Sequence, residues 1–202
     1  MGMIVGLTGG SGAGKSVVSA ALAAKGAGWV DADAVYHGLC TPSSELLQAL
    51  NAAFGEILTA EGALDRPALA KKVFSDKVQL EKLNAITTPR IRAAMAQRAE
   101  ELFAAGCPIV LYDAPTLFQT GINADCACVI GVIADRATRM ARIMVRDGLS
   151  EEAAAARIGN QPDSDFYRDR CDFIIENNGT AEEAAASAAA LWETLLSISH
   201  KE

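Results

Sequence analysis

Apolar residues along the chain fall into two kinds of run. Short, nearly continuous runs stand at residues 4–7, 28–30, 109–112, 129–133 and 173–175, as expected of strands buried on both faces. Between them apolar positions recur with helical period over 17–24, 43–54, 67–74, 78–86, 89–105 and 181–198, with Ser43, Ser44 and Asp76 placed as caps and Gly55 and Gly106 as stops. The alternation predicts an α/β fold: a parallel sheet covered on both faces, with ligands beyond the carboxyl ends of its strands. About seventy residues between the second and third strands contain no strand-like run, so residues 34–105 are expected to form a helical insertion that binds a substrate. The alanine-rich last helix carries Leu191, Trp192, Leu195 and Leu196 on one face, which is expected to pack on the sheet.

Composition narrows the class. At 202 residues, half of them apolar, the chain is long enough for one core with insertions and leaves little for a second independent domain. The expectation is a single domain over 1–202: core 1–33, 106–147 and 171–202, insertion 34–105, and lid 148–170. The apolar run at 3–7 is too short to span a bilayer or to serve as a secretory segment, so a soluble cytoplasmic protein without membrane contact is expected. Five cysteines without zinc-site spacing read as reduced, mostly buried thiols. A formal charge of -7 argues against nonspecific nucleic-acid binding, so any anionic ligand must meet a local basic site.

That site is visible. Gly9-Gly10-Ser11-Gly12-Ala13-Gly14-Lys15-Ser16 follows the first strand, precedes a helix and fits the phosphate-loop pattern G-x-x-x-x-G-K-[ST]. Backbone N–H groups of such a loop surround a polyphosphate, and the following helix points its positive end at the same anion. Gly9, Ser11, Gly12, Ala13, Gly14, Lys15, Ser16 and Val17 are therefore the expected nucleotide-binding set, with Lys15 on the β and γ phosphates and Ser16 on Mg²⁺. The predicted ligand is a nucleotide with its metal, Mg²⁺.

Other polar residues gather at the same predicted rim. Asp31 and Asp33 follow the second strand; Asp33 is a candidate general base or a water-mediated metal ligand, the plainer reading being a cap for a helix starting at Ala34. Asp113 ends the third strand, where a metal-facing acid stands in nucleotide-hydrolysing folds. Arg136, Arg139, Arg142, Arg146, Arg157, Arg168 and Arg170 crowd one region, and no lysine occurs between Lys82 and Lys201. Guanidinium forks suit a transferring phosphoryl group, and Arg142, Arg146 and Arg157 are the favoured members. For Arg136 and Arg139 a solvated helix surface, neutralised by Asp135, Asp147 and Glu151, is an equal reading. Arg146 and Arg157 flank residues 148–156, which read as a mobile lid. His37 follows Asp33 closely and is read as a surface or capping group or a substrate contact, and His200 as tail.

In this order the motifs resemble the dephospho-coenzyme A kinase family across nearly the whole chain. The resemblance is carried by Gly6-Leu7-Thr8-Gly9-Gly10 through Ser16, Asp31-Ala32-Asp33, Phe54-Gly55, Leu64-Asp65-Arg66, Leu83-Asn84, and Asp113 with Pro115-Thr116-Leu117-Phe118. It continues through Arg142, Arg146-Asp147-Gly148-Leu149-Ser150, Arg157-Ile158, Gln161 and Asp172-Phe173-Ile174-Ile175-Glu176-Asn177. It implies a P-loop kinase that phosphorylates the ribose 3′ hydroxyl of dephospho-coenzyme A. Asp33 would be the base, Arg146 the lid arginine on the phosphates, Arg142 and Arg157 its assistants, and Asn177 would lie near the adenine. Thr88 stands where the family usually has His, Gln119 where it usually has Glu, and Cys171 where Ala is usual. A related small-metabolite or nucleoside-monophosphate kinase is the alternative within enzymes. A nucleotide-switched regulatory protein is the alternative outside them, against which stands the lack of an Asn-Lys-x-Asp segment. Nothing in the sequence fixes the oligomeric state.

Overall fold

Five strands form where the short apolar runs stand in this computed structural model, which describes residues 2–73 and 76–200. They are β1 (Met3–Thr8), β2 (Gly28–Asp31), β3 (Ile109–Asp113), β4 (Cys128–Ile133) and β5 (Phe173–Glu176), in the order β2-β3-β1-β4-β5. The central strand β1 runs parallel to β3 and β4, and β4 parallel to β5. Leu7 is in register with Asp113 and Ile130, so the carboxyl ends of β1, β3 and β4 share one rim.

The helices are α1 (Lys15–Ala24), α2 (Ala32–Leu39), α3 (Glu45–Phe54), α4 (Arg66–Val73), α5 (Lys77–Ala104), α6 (Arg136–Asp147), α7 (Glu151–Gly159), α8 (Ser164–Arg168) and α9 (Ala181–Ser199). A short 3-10 turn at Ile122–Asp125 precedes β4. The chain divides into two compact units, Met1–Val30 with Ala99–Glu202, and Asp31–Arg98; the stretch 34–105 read as an insertion overlaps the second over 34–98. In the first unit Val5, Leu7, Ile109, Leu111, Ile130 and Val132 from the sheet pack with Val18 and Leu22 of α1 and Trp192 and Leu195 of α9. The apolar face expected on the last helix thus lies in this core, with Leu191 and Leu196 at its margin. A capping box of Thr180 and Glu183 starts that helix, satisfying two otherwise orphaned backbone donors. The second unit has its own cluster of Leu46, Leu50, Ile57, Leu69 and Val73.

Three local readings are corrected. The helices expected over 78–86 and 89–105 are one helix, α5, with Pro89 inside it. A proline removes one backbone donor from the helical ladder, yet side chains add donors around the break: Thr87 Oγ1 donates to the Leu83 carbonyl and Arg90 Nη1 to the Ile86 carbonyl, both at 2.9 Å. The helix after β2 begins at Ala32 rather than Ala34, and Asp31 caps it by accepting from the N–H groups of Asp33 and Ala34. Of the two serines before α3, Ser44 caps it, while Ser43 has a left-handed φ of 64° and accepts through its carbonyl from Gln48. The helix expected over 67–74 is α4, and Phe74 lies outside the described residues.

All five cysteines are free thiols; Cys40 and Cys128 are buried and the others partly so. Burial pushes the Cys126 thiol up to about 12, with Asp125 beside it adding to the shift, and Cys171 is raised to about 12 by burial and by Asp172. A raised thiol holds its proton, so at pH 8 roughly one molecule in ten thousand carries the reactive thiolate at either position. Alkylation at pH 8 followed by peptide mass mapping should leave Cys126 and Cys171 unmodified in the folded protein and label both after denaturation.

Candidate active site

The phosphate loop joins β1 to α1, and three consecutive carbonyls on its outer side are each taken by a side chain from elsewhere in the fold. Arg139 Nε donates to the Ser11 carbonyl at 2.9 Å, Arg142 Nη1 to that of Gly12 at 3.4 Å, and Asn177 Nδ2 to that of Ala13 at 2.9 Å. In a trans peptide the C=O and the next N–H point in opposite directions. Holding the carbonyls of Ser11 and Ala13 behind the loop therefore turns the N–H groups of Gly12 and Gly14 to its other side, where both residues line a cavity of about 280 Å³. That volume lies at the small end of ligand pockets, which run from about 300 Å³ upward, and suits a polyphosphate chain more than a whole nucleotide.

The clasp sets strict terms for the loop. A Cβ on Gly10 would stand 2.3 Å from an Arg139 guanidinium nitrogen. Gly14 has φ +95°, and a Cβ there would stand 2.1 Å from Asn177 Nδ2. Neither partner can easily yield. Arg139 is 5% and Asn177 3% exposed, and Asn177 is fixed by Arg142, whose Nη1 and Nη2 donate to the Asn177 carbonyl and Oδ1 at 2.9 and 3.2 Å. Arg142 Nη2 also donates to the Gly179 carbonyl. Burial lowers the Arg139 pKa from its usual value.

Opposite the clasp stand the groups facing the cavity. Lys15 Nζ donates to Asp113 Oδ1 at 2.8 Å, because α1 begins and β3 ends at the same rim. Ser16, Pro115, Arg146 and Gln161 also line the cavity, beside Gly9, Gly10 and Ser11 of the loop. Arg146, in the last turn of α6, reaches Ser11 Oγ through Nη2 at 3.4 Å and is held by Asp147 through Nε and Nη2 at 2.7 and 2.8 Å. Arg157 from α7 donates to the same carboxylate. The hydrogen bond from Arg146, aided by the charge of both arginines, holds the Asp147 carboxyl at about 2, so this carboxylate stays ionised above the ordinary acidic range. Of the three acids expected to neutralise the arginines, Asp147 is the one that pairs with Arg146 and Arg157.

Within this unit the fold gathers the loop residues, Asp113, Arg142, Arg146, Arg157 and Asn177. Arg142 and Asn177 lie behind the loop, while Lys15, Ser16 and Arg146 face the cavity. Val17 donates its N–H to the Gly14 carbonyl, closing the first turn of α1. Asp33 belongs to the other unit, exposed in the first turn of α2, and His37 is exposed in that helix's last turn. The sequence reading left Arg139 undecided and gave Gln161 no role. Gln161 Oε1 accepts from the Ser11 N–H at 2.8 Å and from Arg139 Nη2 at 2.7 Å. For Arg139 the signal was available in its helical spacing to Arg142 and Arg146; for Gln161 it lay only in its place among the residues that carry the resemblance, which gives no role, since its partner Ser11 is 150 positions away.

The family model described as Dephospho-CoA kinase matches residues 3–183. A dephospho-CoA kinase of Anaeromyxobacter dehalogenans is 41% identical over 92% of this chain and 88% of its own. One of Thermobifida fusca is 41% identical over 95% of each. Among solved structures, the dephospho-CoA kinase from Campylobacter jejuni superposes with a TM-score of 0.69 at 25% identity, covering 98% of both chains.

Gly14→Ala is expected to lower ATP affinity at least about tenfold, because an L residue at this φ costs roughly 1–2 kcal/mol and the new methyl displaces Asn177 from the Ala13 carbonyl. Calorimetric titration with ATP, with circular dichroism to verify the fold, measures it. Adding Asn177→Ala should not restore binding, since it relieves the contact and leaves the backbone strain.

Proposed function

Because the chain belongs to the dephospho-CoA kinase family, we propose that it transfers the γ-phosphoryl group of ATP to the ribose 3′ hydroxyl of dephospho-coenzyme A, giving coenzyme A and ADP. The observation that carries the chemistry is the clasped phosphate loop, with Lys15 and Arg146 at its cavity. Lys15 exchanges its bond to Asp113 for the β and γ phosphates, while the N–H groups of Gly12 and Gly14 bind phosphate oxygens that need no reorganisation to receive. Arg146 stabilises charge on the transferring group from the loop's tip, with Arg157 sharing its carboxylate anchor. Arg142 and Asn177 act through the loop they hold.

Ser16 and Asp113 suit a magnesium ion: a hydroxyl lines the cavity and a carboxylate stands at its edge. Mg²⁺ on a nucleotide takes one or two protein oxygens beside phosphate and water. Held by Ser16 and Asp113, such an ion would supply positive charge against the phosphates. Asp33 accepts the proton of the attacking 3′ hydroxyl. Its support is its position in the first turn of α2, two residues past β2, together with its place in the Asp31-Ala32-Asp33 motif. The helical unit takes the acceptor, and residues 148–170 form a lid that keeps water, the competing nucleophile, from the phosphoryl group. Five free thiols fit a reducing compartment, and we assign the reaction to the cytoplasm. The partners are the two small molecules; no described helix is long and apolar enough to cross a membrane.

The deciding assay is acceptor-dependent ADP release from MgATP, comparing dephospho-coenzyme A with AMP, CMP, adenosine and shikimate, the product being identified by mass. Selective turnover of dephospho-coenzyme A to coenzyme A is expected; turnover of another acceptor alone refutes the substrate, and none at all refutes the reaction. In the same assay Asp33→Asn should lower kcat by about 10²- to 10⁴-fold with little change in the KM for ATP, since a base acts in the transition state.

A further inference from the structure

Gln161 lines the phosphate cavity, and nothing in the reaction described above uses its side chain. Its Oε1 accepts from two partners, the Ser11 N–H and Arg139 Nη2. Both are donors only. The carboxamide therefore has one possible orientation, oxygen toward them and Nε2 away, since flipping it would set N–H against N–H. Nε2 has no acceptor among the described residues, and no buried side-chain nitrogen or oxygen there lacks a partner, so Nε2 is open to solvent. A residue at the wall of the cavity thus presents two fixed, unused donor hydrogens.

The group behind it strengthens them. The Arg139 guanidinium is buried, and among the described residues its side-chain bonds go to two neutral oxygens, the Ser11 carbonyl and Gln161 Oε1. A cation bonded to an amide oxygen draws electron density toward that oxygen and makes the amide N–H groups better donors. A buried cation without a carboxylate partner is costly, and an anion reached through the polarised amide offsets that cost. We propose that Gln161 is a further catalytic residue, donating from Nε2 to an oxygen of the transferring phosphoryl group, with Arg139 and the Ser11 N–H setting its orientation. This rests on the kinase reading of the same site.

Gln161→Glu separates the donor from the scaffold. It is nearly isosteric, keeps an acceptor oxygen for Ser11 and Arg139, and replaces the NH₂ with oxygen. At saturating MgATP and dephospho-coenzyme A its kcat should fall about 100-fold, the usual loss for one donor to a developing anion, with the melting temperature not lowered. A kcat within about threefold of the unsubstituted protein overturns the role, because the variant lacks the NH₂ group on which the role depends. A second readout needs no substitution. In the ¹⁵N-labelled full chain, the Gln161 side-chain amide resonances should shift with MgADP plus aluminium fluoride, a mimic of the transferring phosphoryl group, beyond any shift with MgADP alone. Equal spectra in the two conditions overturn the proposal, including where the glutamate variant fails to fold. Absence of turnover by the unsubstituted protein is a separate result: it speaks against the functional reading, and the resonance shift still decides whether Gln161 meets a phosphoryl group.

Discussion

A phosphate loop must turn its N–H groups toward its ligand, and the carbonyls left on the other side must find donors within the protein. Most of this active site follows from that requirement. Buried carbonyls without partners cost about as much as a lost hydrogen bond each, and here Arg139, Arg142 and Asn177 take those of Ser11, Gly12 and Ala13 in turn. The donors come from α6 and from the residue just after β5, so loop, helix and strand end are fixed by one set of bonds. The glycines at 10 and 14 are the complement of this clasp, leaving room for the side chains that hold the backbone. Binding is prepared by spending arginines on the back of the loop as well as on its front.

The front is balanced in its own way. Lys15 is paired with Asp113, and Arg146 with Asp147, which also holds Arg157. Lys15 and Arg146, the cations at the cavity, each have a carboxylate beside them, which offsets the repulsion between like charges gathered there. These pairs differ in exposure. Lys15 and Asp113 are mostly shielded, where charges interact strongly. Arg146 is largely exposed, where pairing with Asp147 is screened and easily exchanged. An arginine on so accessible an anchor is suited to moving between carboxylate and phosphate. In a chain of net charge -7, this concentration of guanidinium groups supplies the basic site that its ligand requires.

The helical unit shows where pattern reading succeeds and where it stops. Its helices were legible because apolar residues at 46, 50, 69 and 73 fall on inward faces of α3 and α4. The continuity of α5 was not, because a proline ordinarily ends a helix, and here Pro89 stands inside one, with the Thr87 and Arg90 side chains bonding the nearby Leu83 and Ile86 carbonyls. At the start of α2 the plainer alternative for Asp33, a cap, falls to its neighbour: Asp31, at the end of β2, has the extended backbone a cap needs, and Asp33 lies in the helix's first turn.

By itself the sequence determined the strands, the phosphate loop and most of the helices, because these depend on periodicity and on residues adjacent along the chain, though it divided α5 at Pro89. It also singled out Arg146, Arg157 and Asp113 as belonging to one rim, since parallel strands bring their carboxyl ends together. What only the tertiary structure decided is the division of labour among similar residues. Three arginines at helical spacing on α6 look alike in sequence, yet Arg139 is buried beneath Gly10, Arg142 closes on Asn177, and Arg146 faces the cavity. The bond between Gln161 and Ser11 joins positions 150 apart. Such assignments rest on distances and directions between elements, which no local pattern encodes, because hydrogen-bond geometry is fixed only once the backbone around it has closed.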